Sequence, residues 1–101
     1  MMRRVLVPIA HGTEEMEAVT IIDICRRAGL HVDIAKVLAK AHEHEDPSQH
    51  LNCVTQGGLV FKAENMLSHY QDQKFDAIAL PGGFVGSTTF KDCETLVSML
   101  R

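Results

Sequence analysis

Apolar and polar residues change rhythm several times along this chain, and each rhythm predicts an element. Val5-Leu-Val-Pro-Ile-Ala10 is apolar without interruption, which predicts a strand covered on both faces, as in a parallel sheet. Pro8 has no N–H to give a ladder, so a strand end or bulge is expected there. Gly12 turns the chain, and Thr13 is placed to cap a helix beginning at Glu14. Between Glu14 and Ala28 the apolar residues Met16, Val19, Ile21 or Ile22, Cys25 and Ala28 recur at steps of three and four, the period of a helix with one apolar stripe. Glu14, Glu15 and Glu17 open that helix and Arg26–Arg27 close it, the polarity its dipole favours. Gly29 then stops it.

His31 to Val37 alternates polar and apolar residues and predicts a second strand, so the chain begins with a β-α-β unit. Ala39 to His50 is polar and rich in histidine, the composition of an exposed loop. Leu51–Val54 and Leu59–Phe61 predict a small hairpin around Gly57–Gly58, and Glu64–His69 a short helix. Phe75-Asp-Ala-Ile-Ala-Leu80 is another buried-strand candidate, ending in Pro81-Gly82-Gly83. Phe90 to Leu100 has the spacing of a last helix, with Phe90, Leu96, Val97 and Leu100 apolar. Strands alternating with helices predict an α/β fold with a parallel sheet. A doubly wound sheet normally has further strands, so residues 1–101 are expected to be the N-terminal part of one such domain, incomplete on its C-terminal side.

Composition narrows the class. The 101 residues are 46% hydrophobic, enough for a packed core and against disorder. The net charge is −3 and no basic cluster exceeds an arginine pair, which argues against nucleic acid. No apolar run approaches the length of a membrane span, and the one near the start is too short for a secretory signal. Three cysteines without Cys-x-x-Cys spacing fit a reduced, cytoplasmic setting better than a disulfide scaffold.

Four groups of residues could carry chemistry. Glu17 lies one turn into the first helix, just past the carboxyl end of a strand, where ligands of open parallel sheets bind. A carboxyl there can serve as acid or base if burial raises its pKa. The alternative is a solvated acid at a helix start, the role expected of Glu14 and Glu15. Gly82 and Gly83 follow a buried strand, where backbone N–H groups can approach a phosphate or an oxyanion; a tight turn needing positive φ is the other reading. His42-Glu-His-Glu-Asp46 and His50 offer metal-ligand types, but with no evident second shell a solvated surface loop is the favoured reading. Cys25 falls on the apolar face of the first helix and reads as core. Cys93 stands where a helix dipole could act on a thiol. Neither Cys25 nor Cys93 has a nearby histidine in sequence, and a catalytic dyad needs its base brought in by the fold.

Val5-Leu-Val-Pro-Ile-Ala-His-Gly-Thr-Glu-Glu-Met-Glu-Ala18, Ile24-Cys-Arg-Arg-Ala-Gly-Leu30 and Phe75-Asp-Ala-Ile-Ala-Leu-Pro-Gly-Gly83 together resemble the ThiJ/PfpI superfamily, in particular its parkinsonism-associated deglycase branch. The resemblance covers nearly the whole chain and is looser over His42–Gln56. It implies a flavodoxin-like α/β sandwich that forms homodimers, with Met16 and the first helix in the interface. It implies that Glu17 is a protonated acid bonded to a catalytic cysteine, and that Gly82 and Gly83 are oxyanion donors beside it. Such a neutral carboxyl can donate to a thiolate. It implies no metal and no organic cofactor. The family's nucleophilic cysteine sits on a strand-to-helix elbow that would fall roughly a dozen residues past Arg101, so none of Cys25, Cys53 and Cys93 takes its place. Near Thr55-Gln56-Gly57 many relatives carry a Ser-Arg pair, and Gln56 departs from it.

The resulting expectation is part of a cysteine-dependent glyoxalase or protein deglycase linked to the oxidative-stress response, acting on small reactive carbonyls such as methylglyoxal. Its partners would be a second copy or a completing C-terminal segment. The alternatives are a non-catalytic truncated product acting through association, and a flavodoxin-like nucleotide-binding module.

Overall fold

The computed structural model describes residues 3–39 and 50–101. Six strands and three helices follow one another as β1 (Arg4–Ile9), α1 (Glu15–Arg27), β2 (His31–Lys36), β3 (Asn52–Val54), β4 (Val60–Lys62), β5 (Asn65–Met66), β6 (Ala77–Ile78), α2 (Phe84–Lys91) and α3 (Glu94–Met99), with a 3-10 turn at Leu67–His69 after β5. Four strands form a sheet in the order β5-β2-β1-β6, and every neighbouring pair is parallel. β3 and β4 form a separate antiparallel hairpin.

Both faces of the sheet are covered, as the unbroken apolarity of β1 predicts. Val5, Val7 and Ile9 point to one side, where they pack with Ala18, Ile21, Ile22 and Cys25 of α1 and with Cys53 and Phe61 of the hairpin. Leu6 points to the other, into a cluster with Ala35, Leu67, Tyr70, Phe90 and Leu96. Period-2 alternation of strand side chains therefore divides one apolar run between two cores.

Several local expectations are corrected. Pro8 neither ends nor bulges β1: it stays in register opposite Ala35, because a parallel ladder uses only alternate N–H groups of a strand toward a given neighbour. The helix cap is Glu14, whose carboxylate accepts from the N–H groups of Met16 and Glu17 at 3.1 and 2.9 Å. Thr13 is buried instead, its Oγ1 accepting from Ala10 N–H at 2.9 Å, so it fastens the β1–α1 turn. Met16 and Val19 lie outside the buried stripe, 74% and 49% exposed.

The expected helix at Glu64–His69 is a two-residue edge strand, too short for any periodicity, followed by the 3-10 turn. The expected strand over 75–80 is recognised only at Ala77–Ile78, although Asp76 N–H to Arg4 and Ala79 N–H to Leu6 prolong the ladder on either side. The last helix is two. α2 begins at Phe84 and closes at Asp92, and α3 restarts where Cys93 Sγ accepts from Leu96 N–H. The helical spacing read from Phe90 onward mixed the end of one helix with the start of another. Among the described residues no helix is long and apolar enough to cross a membrane.

Candidate functional site

In this sheet the chain passes from β1 through α1 to β2 on one side, and β6 lies on the opposite side of β1. The carboxyl ends of β1 and β6 thus flank the point where strand order reverses, the place where open α/β sheets bind ligands. Three loops meet there: 10–14 after β1, 55–59 between β3 and β4, and 79–83 after β6.

Backbone hydrogen bonds lock the loops together. Glu14 N–H donates to Gly82 O at 2.8 Å, Gly12 N–H to Val54 O at 2.8 Å, and Gln56 N–H to Thr13 O at 2.8 Å. Side chains add further ties. His11 Nδ1 accepts from Val54 N–H at 3.0 Å, which fixes the acceptor role on that ring nitrogen. Glu15 accepts from Gly57 N–H at 2.9 Å, and Gln56 Oε1 accepts from Phe84 N–H at 3.2 Å. Bonding from the Gly57 N–H, from Glu15's own N–H and from the Thr55 side chain holds the Glu15 carboxyl below its usual value, against a smaller opposing effect of burial.

The glycines of the β6–α2 loop are needed for this closeness. Gly83 has φ +120°, and a Cβ on it would overlap Gly12 O and stand 2.7 Å from Glu14 N. Only glycine allows both the dihedral and the approach. At Gly82 a Cβ would stand 3.0 Å from each carboxylate oxygen of Glu17, so that carboxyl lies directly against the bare Cα. Glu17 is otherwise exposed at the first turn of α1. The structure therefore brings together Glu17, Gly82 and Gly83, which lie more than sixty residues apart in sequence. The Gly82 and Gly83 N–H groups bond to no acceptor among the described residues.

The remaining candidates lie elsewhere. Cys53 is buried in the core under α1 and Cys25 packs against the same cluster, while Cys93 caps α3; all three are free thiols. The segment His42–Asp46 lies outside the described residues, and His50 is exposed beside it. Among the described residues no three His, Cys, Asp or Glu side chains converge as a metal site.

A family model described as the DJ-1/PfpI family matches residues 3–101. The chain belongs to the DJ-1/PfpI family. It is 37% identical over 99 residues to Protein DJ-1 homolog B of Arabidopsis thaliana, an alignment covering 98% of this chain and 20% of that protein. It is 27% identical to the Parkinson disease protein 7 homolog of Danio rerio, over 98% of this chain and 48% of that one. Among solved structures, oxidized Toxoplasma gondii DJ-1 superposes with a TM-score of 0.83 at 39% identity, over 97% of this chain and 48% of that chain. Drosophila melanogaster DJ-1beta superposes with a TM-score of 0.86 at 28% identity, over 100% and 49%. The chain thus spans a fifth of the plant relative and about half of the others. Membership accounts for the parallel sheet.

Sequence reading missed the hairpin's part in the site. Glu14 and Glu15 pass for two solvated acids at a helix start, yet one is the cap and the other grips Gly57. Gln56 stands out only as a departure from the Ser-Arg pair of many relatives, with no sign of its bond to Phe84 N–H. The partners of Glu15 and Gln56 lie 42 and 28 residues away, beyond any local pattern.

Proposed function

We propose that this chain supplies the acid and oxyanion-donor half of a cysteine-dependent carbonyl-processing site of the glyoxalase or deglycase type, linked to the response to oxidative stress. The observation that carries the reading is the Glu17 carboxyl lying against Gly82 at the switch point of a DJ-1/PfpI sheet. In this reading a thiolate attacks the aldehyde carbon of a small reactive carbonyl such as methylglyoxal. The carbonyl oxygen becomes an oxyanion held by the Gly82 and Gly83 N–H groups. Glu17 passes a proton to and from the reacting centre.

The thiol is none of the three described cysteines. Two of them belong to the core beneath α1 and the third serves as a helix cap. It is supplied by a segment corresponding to the other half of the relatives' length, or by a second chain. No metal or organic cofactor takes part. The exposed Met16 and Val19 on α1 provide the face through which two copies pair, in a reducing, cytoplasmic environment that keeps the thiols free.

Methylglyoxal consumption tests the reading. The 101-residue chain alone is expected to give none, and the same chain joined to the C-terminal half of Drosophila DJ-1beta is expected to turn the substrate over. Turnover by the 101 residues alone, or inactivity of a well-folded joined protein, contradicts it.

A further inference from the structure

The two neighbours of β1 are held very differently. β2 pairs with it over the whole strand, from Arg4 opposite His31 to Ile9 opposite Lys36. β6 pairs with it only at Ala77 and Ile78, and its outer edge meets no strand among the described residues. A ladder's register is specified by the side chains it buries, and Ala77 and Ala79 offer one face of this sheet only methyl groups. Yet β6 leads straight into Pro81-Gly82-Gly83, so its register decides where Gly82 stands against Glu17.

What the short ladder lacks is made up at its amino end by Arg4. The Arg4 N–H donates to Asp76 Oδ2 at 2.7 Å, and Asp76 N–H donates back to Arg4 O at 2.9 Å. The guanidinium reaches along the segment that enters β6. Its Nη2 donates to Gln73 Oε1 at 2.7 Å and to Asp33 Oδ2 at 3.0 Å, and its Nη1 to Lys74 O at 3.5 Å. Its Cζ lies 4.5 Å from the centre of the Phe75 ring, within cation–π range, and Phe75 meets Tyr70 edge-on. Asp33 is the fixed end of this clamp. It belongs to β2, its side chain is mostly buried, and its other oxygen lies 3.1 Å from His31 Nε2. The planar fork of an arginine serves several acceptors at set angles, which a lysine cannot do.

We propose that Arg4 is a positioning residue for the site at the opposite end of the sheet: by tying residues 73–76 to Asp33 it fixes the register of β6, and through that strand it sets Gly82 and Gly83 against Glu17. Arg4 itself touches no reacting group. Its bearing on catalysis rests on the proposed function, whereas its hold on the loop does not.

Native-state amide exchange of the 101-residue chain, read by NMR, is the test. Glu14 N–H, which donates to Gly82 O, and Ala79 N–H, which donates to Leu6 O, report on β6 and its loop; Val37 N–H, which donates to Ile9 O, reports on the β1–β2 pair. Val32→Ala, a truncation in the core under α1, sets the pattern of plain destabilisation across these amides. Arg4→Met keeps an apolar stem beside Phe75 and deletes the donors. Relative to that pattern it should speed Glu14 and Ala79 at least about tenfold more than Val37, the scale of lost hydrogen bonds to a charged group, and shift the Gly82 and Gly83 amide resonances. Asp33→Asn leaves Arg4 in place and weakens only its anchor, so it decides the matter even if Arg4→Met fails to fold; the same selectivity is expected at about threefold. The Val32→Ala pattern in Asp33→Asn or in a folded Arg4→Met, or Gly82 and Gly83 resonances unmoved by the substitution, overturns the proposal. No turnover enters this measurement, and methylglyoxal consumption by the joined protein is read separately, so failure of the catalytic reading and failure of the positioning role are distinguishable.

Discussion

Replacing Gly83 by alanine tests whether the three loops meet as closely as the site requires. Two costs are expected. The backbone at φ +120° is one that a non-glycine residue adopts at about 1–3 kcal/mol. The new methyl would also overlap Gly12 O and approach Glu14 N to 2.7 Å, and wedging a methyl against packed neighbours costs about 1–3 kcal/mol more. The sum, about 2–6 kcal/mol, is a large part of the 5–15 kcal/mol that holds a typical domain together. For a domain of this size, at about 4–8 °C per kcal/mol, it lowers Tm by roughly 8–48 °C.

Gly29→Ala is the matched control. Gly29 also has positive φ, +83°, but a Cβ there meets nothing within 4 Å, so only the backbone cost of about 1–2 kcal/mol remains. Urea unfolding of both variants, followed by circular dichroism, gives the difference directly. Gly83→Ala should be the more damaging by about 2 kcal/mol. If the two variants lose the same stability, the β1–α1 and β6–α2 loops do not touch as described, and the placement of Gly82 against Glu17 fails with them.

Three further outcomes follow from the same loops. The Glu15 carboxyl is held below its usual value of 4.5 chiefly by the Gly57 N–H; the stabilisation from that shift is fully present above pH 4.5 and is lost as pH falls through the depressed value. Acid unfolding should thus show a stability loss below pH 4.5 that is smaller in Glu15→Gln, and identical acid limbs would refute it. Glu14→Ala should cost about 1 kcal/mol as a lost helix cap and speed amide exchange at Met16 and Glu17. Thr13→Val should instead leave the Ala10 N–H unpaired at about 1–3 kcal/mol without altering exchange at the helix start; the reverse pattern would return the cap to Thr13.

Much of the fold was legible because the decisive signals are local. An unbroken apolar run marks β1 as a strand packed on both faces, and acids, stripe, arginines and Gly29 delimit α1 within a residue or so. Pro81-Gly82-Gly83 marks a loop after a strand. What escaped the sequence depends on contacts at long range. β5 exists only because Ala35 and Lys36 are there to pair with it. The break between α2 and α3 falls at Asp92–Cys93, where neither glycine nor proline announces it. Glu17 and Gly82–Gly83 were recognisable as motifs, but their contact was not, nor was the role of Gln56 and Glu15 in fastening the hairpin over them. Local chemistry thus names the site's residues, and only the register of the sheet assembles them.

The central claim is that Glu17, lying against Gly82, is the acid–base group of a carbonyl-processing site. The most direct measurement is the kinetics of methylglyoxal turnover by this chain joined to a relative's C-terminal half, with Glu17 and with Glu17→Gln. A positioned acid–base group is worth about 10²–10⁴-fold, so kcat should fall by at least about a hundredfold while KM changes little. A joined protein whose kcat is indifferent to Glu17→Gln would contradict the account.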